Sequence, residues 1–404
     1  MNKERITELF TSLVEVDSLS RGERRMADRL TAELKVLGFE VTEDKAGEKI
    51  GSDTGNLYAF LKGTDPSKKP VLLSAHMDTV VPGIGKKAVI DRDTGKITSE
   101  GDTILGADDA AGIAQILEAV RSVQERGEAY GDIEVLFTVA EEVYTIGASE
   151  FDFSRIKSPA AFVIDLSGSI GTAAVAAPSI ISFEFTVNGR PAHAGFDPGA
   201  GINAIAIVSD IIAETKQGLI ADGLTLNIGT ITGGSVSNIV PEICTCTGEV
   251  RGNDHDAACA ALEELHARIE RKTDEAGARY SWTSKVMIKA YRTDESSDVC
   301  KTFTAVCRSL GIEPEFISTR GGSDNNVFAQ HGIPGIVVGC GMENTHTTSE
   351  YIYLDDLYKG AELIEGIIQA RQSLRKARSE NEVNNGREMP YNMKQKTQMQ
   401  ALVN

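Results

Sequence analysis

Apolar residues recur at helical spacing through residues 3–15, where Ile6, Leu9, Phe10, Leu13 and Val14 share one face, so an amphipathic helix is expected there. A second such pattern covers 24–37 and stops at Gly38. The chain then turns to short apolar runs at 71–75, 133–140, 161–164 and 333–338. Runs of strand length without polar alternation predict strands buried on both faces. Between the first two, Ile113, Ile116, Leu117, Val120 and Val123 predict a helix over 109–127, with Asp108 or Asp109 at its N-terminal cap.

The pattern changes near Pro178. Residues 180–187 alternate, as half-exposed antiparallel strands do. A helix is expected at 202–216, strands at 224–231 and 242–251, a helix at 255–276 and a strand at 279–291. This β-α-β-β-α-β order is that of a ferredoxin-like sandwich. The expected organisation is an α/β domain of residues 1–178 plus 294–376, interrupted by an inserted α+β domain at 179–293. Helix 298–310 and strand 333–338 resume the first domain. Residues 377–404 form a polar tail that the composition predicts to lack a packed core.

Charge then narrows the partners. Acidic residues number 59 against 41 Lys and Arg, a formal net charge of −18. That field repels nucleic-acid backbones and anionic membranes but not metal cations. The opening MNKERITELF has no apolar core of a secretory signal, and no run approaches the roughly 20 apolar residues of a membrane span. Six scattered cysteines form no Cys-x-x-Cys pair and read as reduced packing residues of a cytoplasmic protein, with Cys244 and Cys246 on one strand face. There is no Gly-x-Ser-x-Gly elbow, no Walker A loop, and no dinucleotide fingerprint after the first buried strand.

The candidate chemistry follows the buried strands. VLLSA leads into His76-Met77-Asp78, IEVLFTVA into Glu141-Glu142, AFVI into Asp165, and the last run, through a Gly-rich turn, into His346. In an open α/β sheet the carboxyl ends of the strands form the ligand crevice. Imidazoles and carboxylates converging there suit divalent metals. Each residue alone also fits a structural role, as a helix cap or a solvated helix start. Four acidic clusters at four strand ends of one sheet do not, because buried charges cost several kcal/mol unless paired or bound to metal.

Eight stretches carry a family resemblance: SAHMDTV (74–80), GADDAAG (106–112), TVAEEV (138–143), VIDLSGSIG (163–171), NGRPAHAG (188–195), GGSVSNIVP (233–241), RGGSDNN (320–326) and ENTHTTSEYI (343–352). In this order they resemble the dinuclear zinc exopeptidases of the M20 family, particularly peptidase T-like proteins. The resemblance implies a zinc-exopeptidase-like catalytic domain, a mixed and mostly parallel sheet with helices on both faces, and an inserted lid and dimerisation domain. It implies that His76 and Asp165 bind one metal, Glu142 and His346 the other, and that Asp108 bridges them. Asp78 would accept a hydrogen bond from the second nitrogen of His76, and Glu141 would be the general base. A cis bond would fall at Asp108–Asp109. His193 would reach the other subunit's site as an oxyanion donor, Arg320 would clamp a substrate carboxylate, and Asn238, with Arg251 as a weaker candidate, would contact substrate. His255, His266 and His331 match no motif. The family often has lysine where this chain has Ala110, which puts substrate preference rather than metal binding in question.

The function so implied is a cytoplasmic, homodimeric exopeptidase with two divalent ions, zinc before cobalt or manganese. A tripeptide aminopeptidase is preferred over a carboxypeptidase, dipeptidase or N-acyl-amino-acid deacylase. A non-catalytic metal-binding paralogue is the remote alternative.

Overall fold

The computed structural model describes residues 1–370. The polar tail lies outside the described residues, as does the end of the first expected domain. The four apolar runs form the middle of a nine-stranded mixed sheet. Across it lie Glu40–Glu43, Leu57–Leu61, Ile133–Thr138, Val71–His76, Ala161–Leu166, Gly335–Gly339, Thr172–Ala177 and Tyr291–Arg292, and Glu315–Ser318 also pairs with Thr172–Ala177. The four central strands, Ile133–Thr138 to Gly335–Gly339, run parallel. Their side chains go alternately to opposite faces. Leu73, Val135, Phe137, Ile164, Ile336 and Val338 join the core made with Lys3–Val14, Arg24–Val36, Ala107–Glu125, Asp298–Ser309 and Leu354–Gln369. Leu72, Leu136, Val163 and Val337 pack on the other face against Phe151, Phe153 and Phe328. Burial on both faces is why these runs show no polar alternation.

Helix Ala107–Glu125 has an irregular start. Gly106 precedes it at φ 77°, and Asp108 and Asp109 have non-helical backbone angles. Asp109 Oδ1 accepts the Gly112 N–H at 3.1 Å, so the regular helix begins beyond the aspartate pair. The Asp108–Asp109 peptide bond is cis.

Residues 179–288 build a separate antiparallel sheet in the order Gly218–Ala221, Leu224–Gly233, Ile243–Gly252, Ser179–Asn188, Arg279–Ile288. Phe183, Phe185, Val187, Cys244, Cys246 and Val250 form a core with Ile207, Val208 and Ile211 of Ala204–Glu214 and with Leu262, Leu265 and Ile269 of His255–Glu275. Asn203 and Asp254 cap those helices. The ferredoxin-like order is extended by the edge strand Gly218–Ala221, four largely exposed residues with no alternation to announce them. The strand expected at 279–291 ends at Ile288, and Tyr291–Arg292 crosses to the nine-stranded sheet. A third sheet, Met342–Glu343, Tyr351–Tyr353, Lys96–Ser99 and Ala88–Ile90, went unforeseen because strands of two to four residues carry no measurable period. All six cysteines are free. Among the described residues, no helix is long and apolar enough to cross a membrane.

Candidate active site

Parallel strands deliver their carboxyl ends to one edge, and that edge gathers the ionisable residues. His76 closes Val71–His76 opposite Thr138. Glu141 and Glu142 follow Ile133–Thr138, Asp165 lies at the end of Ala161–Leu166, and Asp108 sits in the irregular helix start. His346 is on the loop between Met342–Glu343 and Tyr351–Tyr353. Asp108 lies between two imidazoles: its Oδ1 is 2.8 Å from His76 Nε2 and its Oδ2 is 3.2 Å from His346 Nε2. His76 Nε2 is also 3.6 Å from Asp165 Oδ1, and His346 Nε2 is 2.9 Å from Glu142 Oε1. Ligand atoms of His76, Asp108 and Glu142 fall within 4.8 Å of one another, as do those of His76, Glu141 and Asp165.

The turn that presents the glutamate pair departs from ordinary backbone. Ala140, Tyr144 and Thr145 have φ of 50°, 62° and 55°, and in the facing loop Asn344 and His346 have 55° and 63°. Left-handed backbone at residues with a Cβ persists where the surroundings hold it, commonly at functional sites. Around the glutamate pair, carboxylates fasten the backbone. Glu23 Oε1 accepts the Ala140 N–H at 2.9 Å. Asp78 accepts the Glu141 N–H at 2.9 Å and the Glu142 N–H at 3.2 Å, and the Ser20 hydroxyl at 2.7 Å. With its carboxylate so engaged, Asp78 faces His76 Nδ1 chiefly through its main-chain oxygen, at 2.9 Å, against 3.4 Å for Oδ1. Asp78 therefore orients the glutamate pair as well as the imidazole.

The electrostatics describe a site short of positive charge. Burial raises the Glu141 carboxyl well above its usual range, and Asp165 raises it further. Burial also lifts Glu142 to about 7 and Asp165 to about 6. Burial opposes charge on His76, but Asp108, Asp165 and Asp78 outweigh it and keep the imidazolium favoured. Asp108 and Glu142 hold His346 up at about 10. Burial acts against the charge on Asp108 too, yet the two imidazoles pull it below the carboxylate range. Glu142 Oε1 is buried, and among the described residues no hydrogen-bond donor is aligned on it, although His346 Nε2 approaches to 2.9 Å. Crowded carboxylates and imidazole nitrogens turned toward common points fit divalent cations held by oxygen and nitrogen donors.

Three expected site residues are not joined to this cluster. Among the described residues, no hydrogen bond or ion pair links the side chains of His193, Asn238 or Arg320 to it. His193 is exposed on the loop after Ser179–Asn188, bridged to Ile239. Its Nδ1 accepts the Gly195 and Phe196 N–H groups, both at 3.1 Å, so a neutral ring there carries its proton on Nε2, which is then a donor. Asn238 O accepts the Ala194 N–H at 2.9 Å, placing the two loops side by side. Arg251 is engaged by Glu249 at 2.7 Å and donates to Arg320 O at 3.2 Å, which ties it to the arginine loop. Of the histidines without a motif, His331 stacks on Phe153 and His266 on Trp282.

Other residues escaped the sequence reading. Glu350, 1% exposed, accepts the Gly106 N–H at 2.7 Å and the Asp108 N–H at 3.0 Å, fixing the turn that carries Asp108. Asp324, also 1% exposed, is bonded by the Thr138 hydroxyl and pushed to about 7 by burial. Both lie inside quoted motifs, but nothing in their spacing announces a partner.

A doubly covered α/β sheet with two imidazoles and several carboxylates gathered at its carboxyl edge is the site of a metal-dependent hydrolase. The chain belongs to peptidase family M20/M25/M40, whose model matches residues 72–370. It is 34% identical over 369 residues to the uncharacterized protein YqjE of Bacillus subtilis (strain 168), covering 91% of this chain and 99% of that one. It is similar to the aminopeptidase PepT of Bacillus cereus ATCC 10987, with 36% identity, a TM-score of 0.87, and coverage of 91% of this chain and 98% of that one. It is also similar to a tripeptidase of Staphylococcus aureus, with 32% identity, a TM-score of 0.88 and the same coverage. The protein is thus an M20 peptidase that hydrolyses peptide bonds with the help of metal ions.

Proposed function

We propose that the protein is a tripeptide aminopeptidase, working in the cytoplasm as a homodimer with two divalent ions, zinc before cobalt or manganese. The observation that carries this reading is the likeness, over nine-tenths of the chain, to solved peptidases described as an aminopeptidase and a tripeptidase. His76 and Asp165 would hold one ion, Glu142 and His346 the other, with Asp108 between them. Residues 179–293 act as the lid and dimerisation domain on a catalytic domain of 1–178 plus 294–376.

When bound, the ions supply Lewis acidity toward the scissile carbonyl and toward water. Glu141 takes the proton of the attacking water as oxygen bonds to the carbonyl carbon. It then delivers that proton to the departing amine nitrogen, whose bond to carbon breaks. The partner subunit's His193 donates from Nε2 to the carbonyl oxygen as negative charge builds there. Arg320 holds the peptide's terminal carboxylate, which a guanidinium fork suits, and Asn238 contacts the substrate.

A panel of di- and tripeptides with either end blocked tests this. Tripeptides with a free N-terminus are expected to be cleaved and their N-acetyl forms left intact. Turnover of N-blocked peptides together with loss on C-terminal amides would make the enzyme a carboxypeptidase or deacylase. His193→Ala is expected to lower kcat more than it raises KM, since its contact strengthens in the transition state. Mixing inactive His193→Ala and Glu141→Ala subunits should restore activity in the hybrid, which keeps one intact composite site. No recovery would place His193 in its own subunit's site.

A further inference from the structure

The chain passes between the nine-stranded and five-stranded sheets twice. One crossing joins Thr172–Ala177 to Ser179–Asn188, and the other joins Arg279–Ile288 to Tyr291–Arg292. A connection of two single strands is a hinge unless something fastens it. Two fully buried side chains do so. Asn326 Nδ2 donates to Lys289 O at 2.8 Å and, more distantly, to Pro178 O at 3.5 Å, so one amide spans both crossings. From the other side, Ser179 Oγ accepts the Ala290 N–H at 2.8 Å and lies 2.9 Å from His255 Nδ1.

The orientation of the Asn326 amide is fixed by its partners. Oδ1 receives the Ser323 N–H at 3.0 Å, which can only donate, and Nδ2 faces two carbonyls, which can only accept. Asn326 also belongs to the segment that runs from Arg320 to the carboxylate cluster. Arg251 of the five-stranded sheet holds Arg320 O. Gly322 lies against Ile288 so closely that a Cβ there would come within 2.3 Å of Ile288 Cδ1. Asp324, two residues from Asn326, is bonded to Thr138 at the end of the strand that leads to Glu141.

We propose that Asn326 is a positioning residue for hydrolysis: its amide fastens both crossings and holds the five-stranded sheet, which carries His193 and Asn238, at a set angle to the carboxylate cluster. The angle matters whether those groups serve their own site or the partner's. The kinetic consequence rests on the aminopeptidase reading; the angular one does not.

The test compares Asn326→Asp with Asn326→Ala. Aspartate keeps an acceptor for Ser323 N–H but offers no donor to Lys289 O. Both variants should hold metal as the wild type does. On a tripeptide, kcat should fall and KM rise together, lowering kcat/KM about tenfold or more, because binding and reacting groups are displaced at once. A mere loss of folded enzyme would lower kcat alone. Electron–electron resonance distances between spin labels at Val36→Cys and Leu219→Cys, both exposed and on the two parts, would be read in a Cys259→Ser background diluted with unlabelled protein. The distribution should be narrow in the parent and broad in both Asn326 variants. Asn326→Asp with parental distances and kinetics would overturn the proposal, leaving the amide only its bond to Ser323. If neither variant folds, Asn326→Ser, which is smaller and too short to reach both carbonyls, takes their place, and parental distances and kinetics there overturn it equally. A wild type that cleaves no peptide sinks the aminopeptidase reading and leaves the clamp to the distances.

Discussion

Glu141→Gln is expected to keep both metal ions and lose turnover by about 10²- to 10⁴-fold, the range that a positioned general base contributes. Glu141 is only 8% exposed, and among the described residues no hydrogen bond ends on its carboxylate. Its backbone is nonetheless fixed, through the N–H bonded to Asp78 and the carbonyl that accepts the Thr145 N–H at 2.7 Å. The side chain is therefore held in place by its turn while its oxygens stay uncommitted, which is what a proton carrier requires. Glutamine preserves the volume and removes the basic oxygen, so the loss should sit in kcat. The geometry also groups Glu141 with His76 and Asp165, and metal content measured beside activity separates the two roles. Two ions per chain with activity gone supports the base; one ion would make Glu141 a ligand; near-normal kcat would falsify both.

Much of this site could be read before the fold was known, for a physical reason. Strands buried on both faces are largely apolar, Ser74 and Glu134 being the hydrogen-bonded exceptions here, so the clusters of charged residues just after each run stand out, as His76 and Glu141-Glu142 do after VLLSA and IEVLFTVA. Parallel pairing then brings those positions to one edge. His346 was harder to place because its loop hangs from strands of two and three residues, whose pairing depends on the tertiary fold. Glu350 and Asn326 bond to backbone groups distant in sequence, at Gly106 and Lys289, and a backbone N–H or carbonyl has no residue identity for a sequence to display. The carboxylate of Asp78 shows the same limit: its position was legible, but its hold on the Glu141 and Glu142 amides was not.

Asp108→Ala is expected to abolish binding of both ions, and activity with them. Asp108 is the residue with one oxygen toward each imidazole, so its loss removes a donor from both halves of the site at once. The consequence extends to stability. Ions that bind only the folded chain stabilise it by mass action, and two sites each held at 100 times its Kd contribute about 5 kcal/mol together. Chelation should therefore lower the wild-type Tm, while Asp108→Ala should start low and show no further drop. Without cations the buried carboxylates of Glu141, Glu142, Asp165 and Asp324 face one another, offset among the described residues by His76 and His346, the arrangement in which burial drives their affinity for protons upward. Retention of two ions by Asp108→Ala, with a chelator-sensitive Tm, would rule out the bridging role. Retention of one ion would reassign Asp108 as a ligand to a single metal and return the question of what joins the two halves to Glu141.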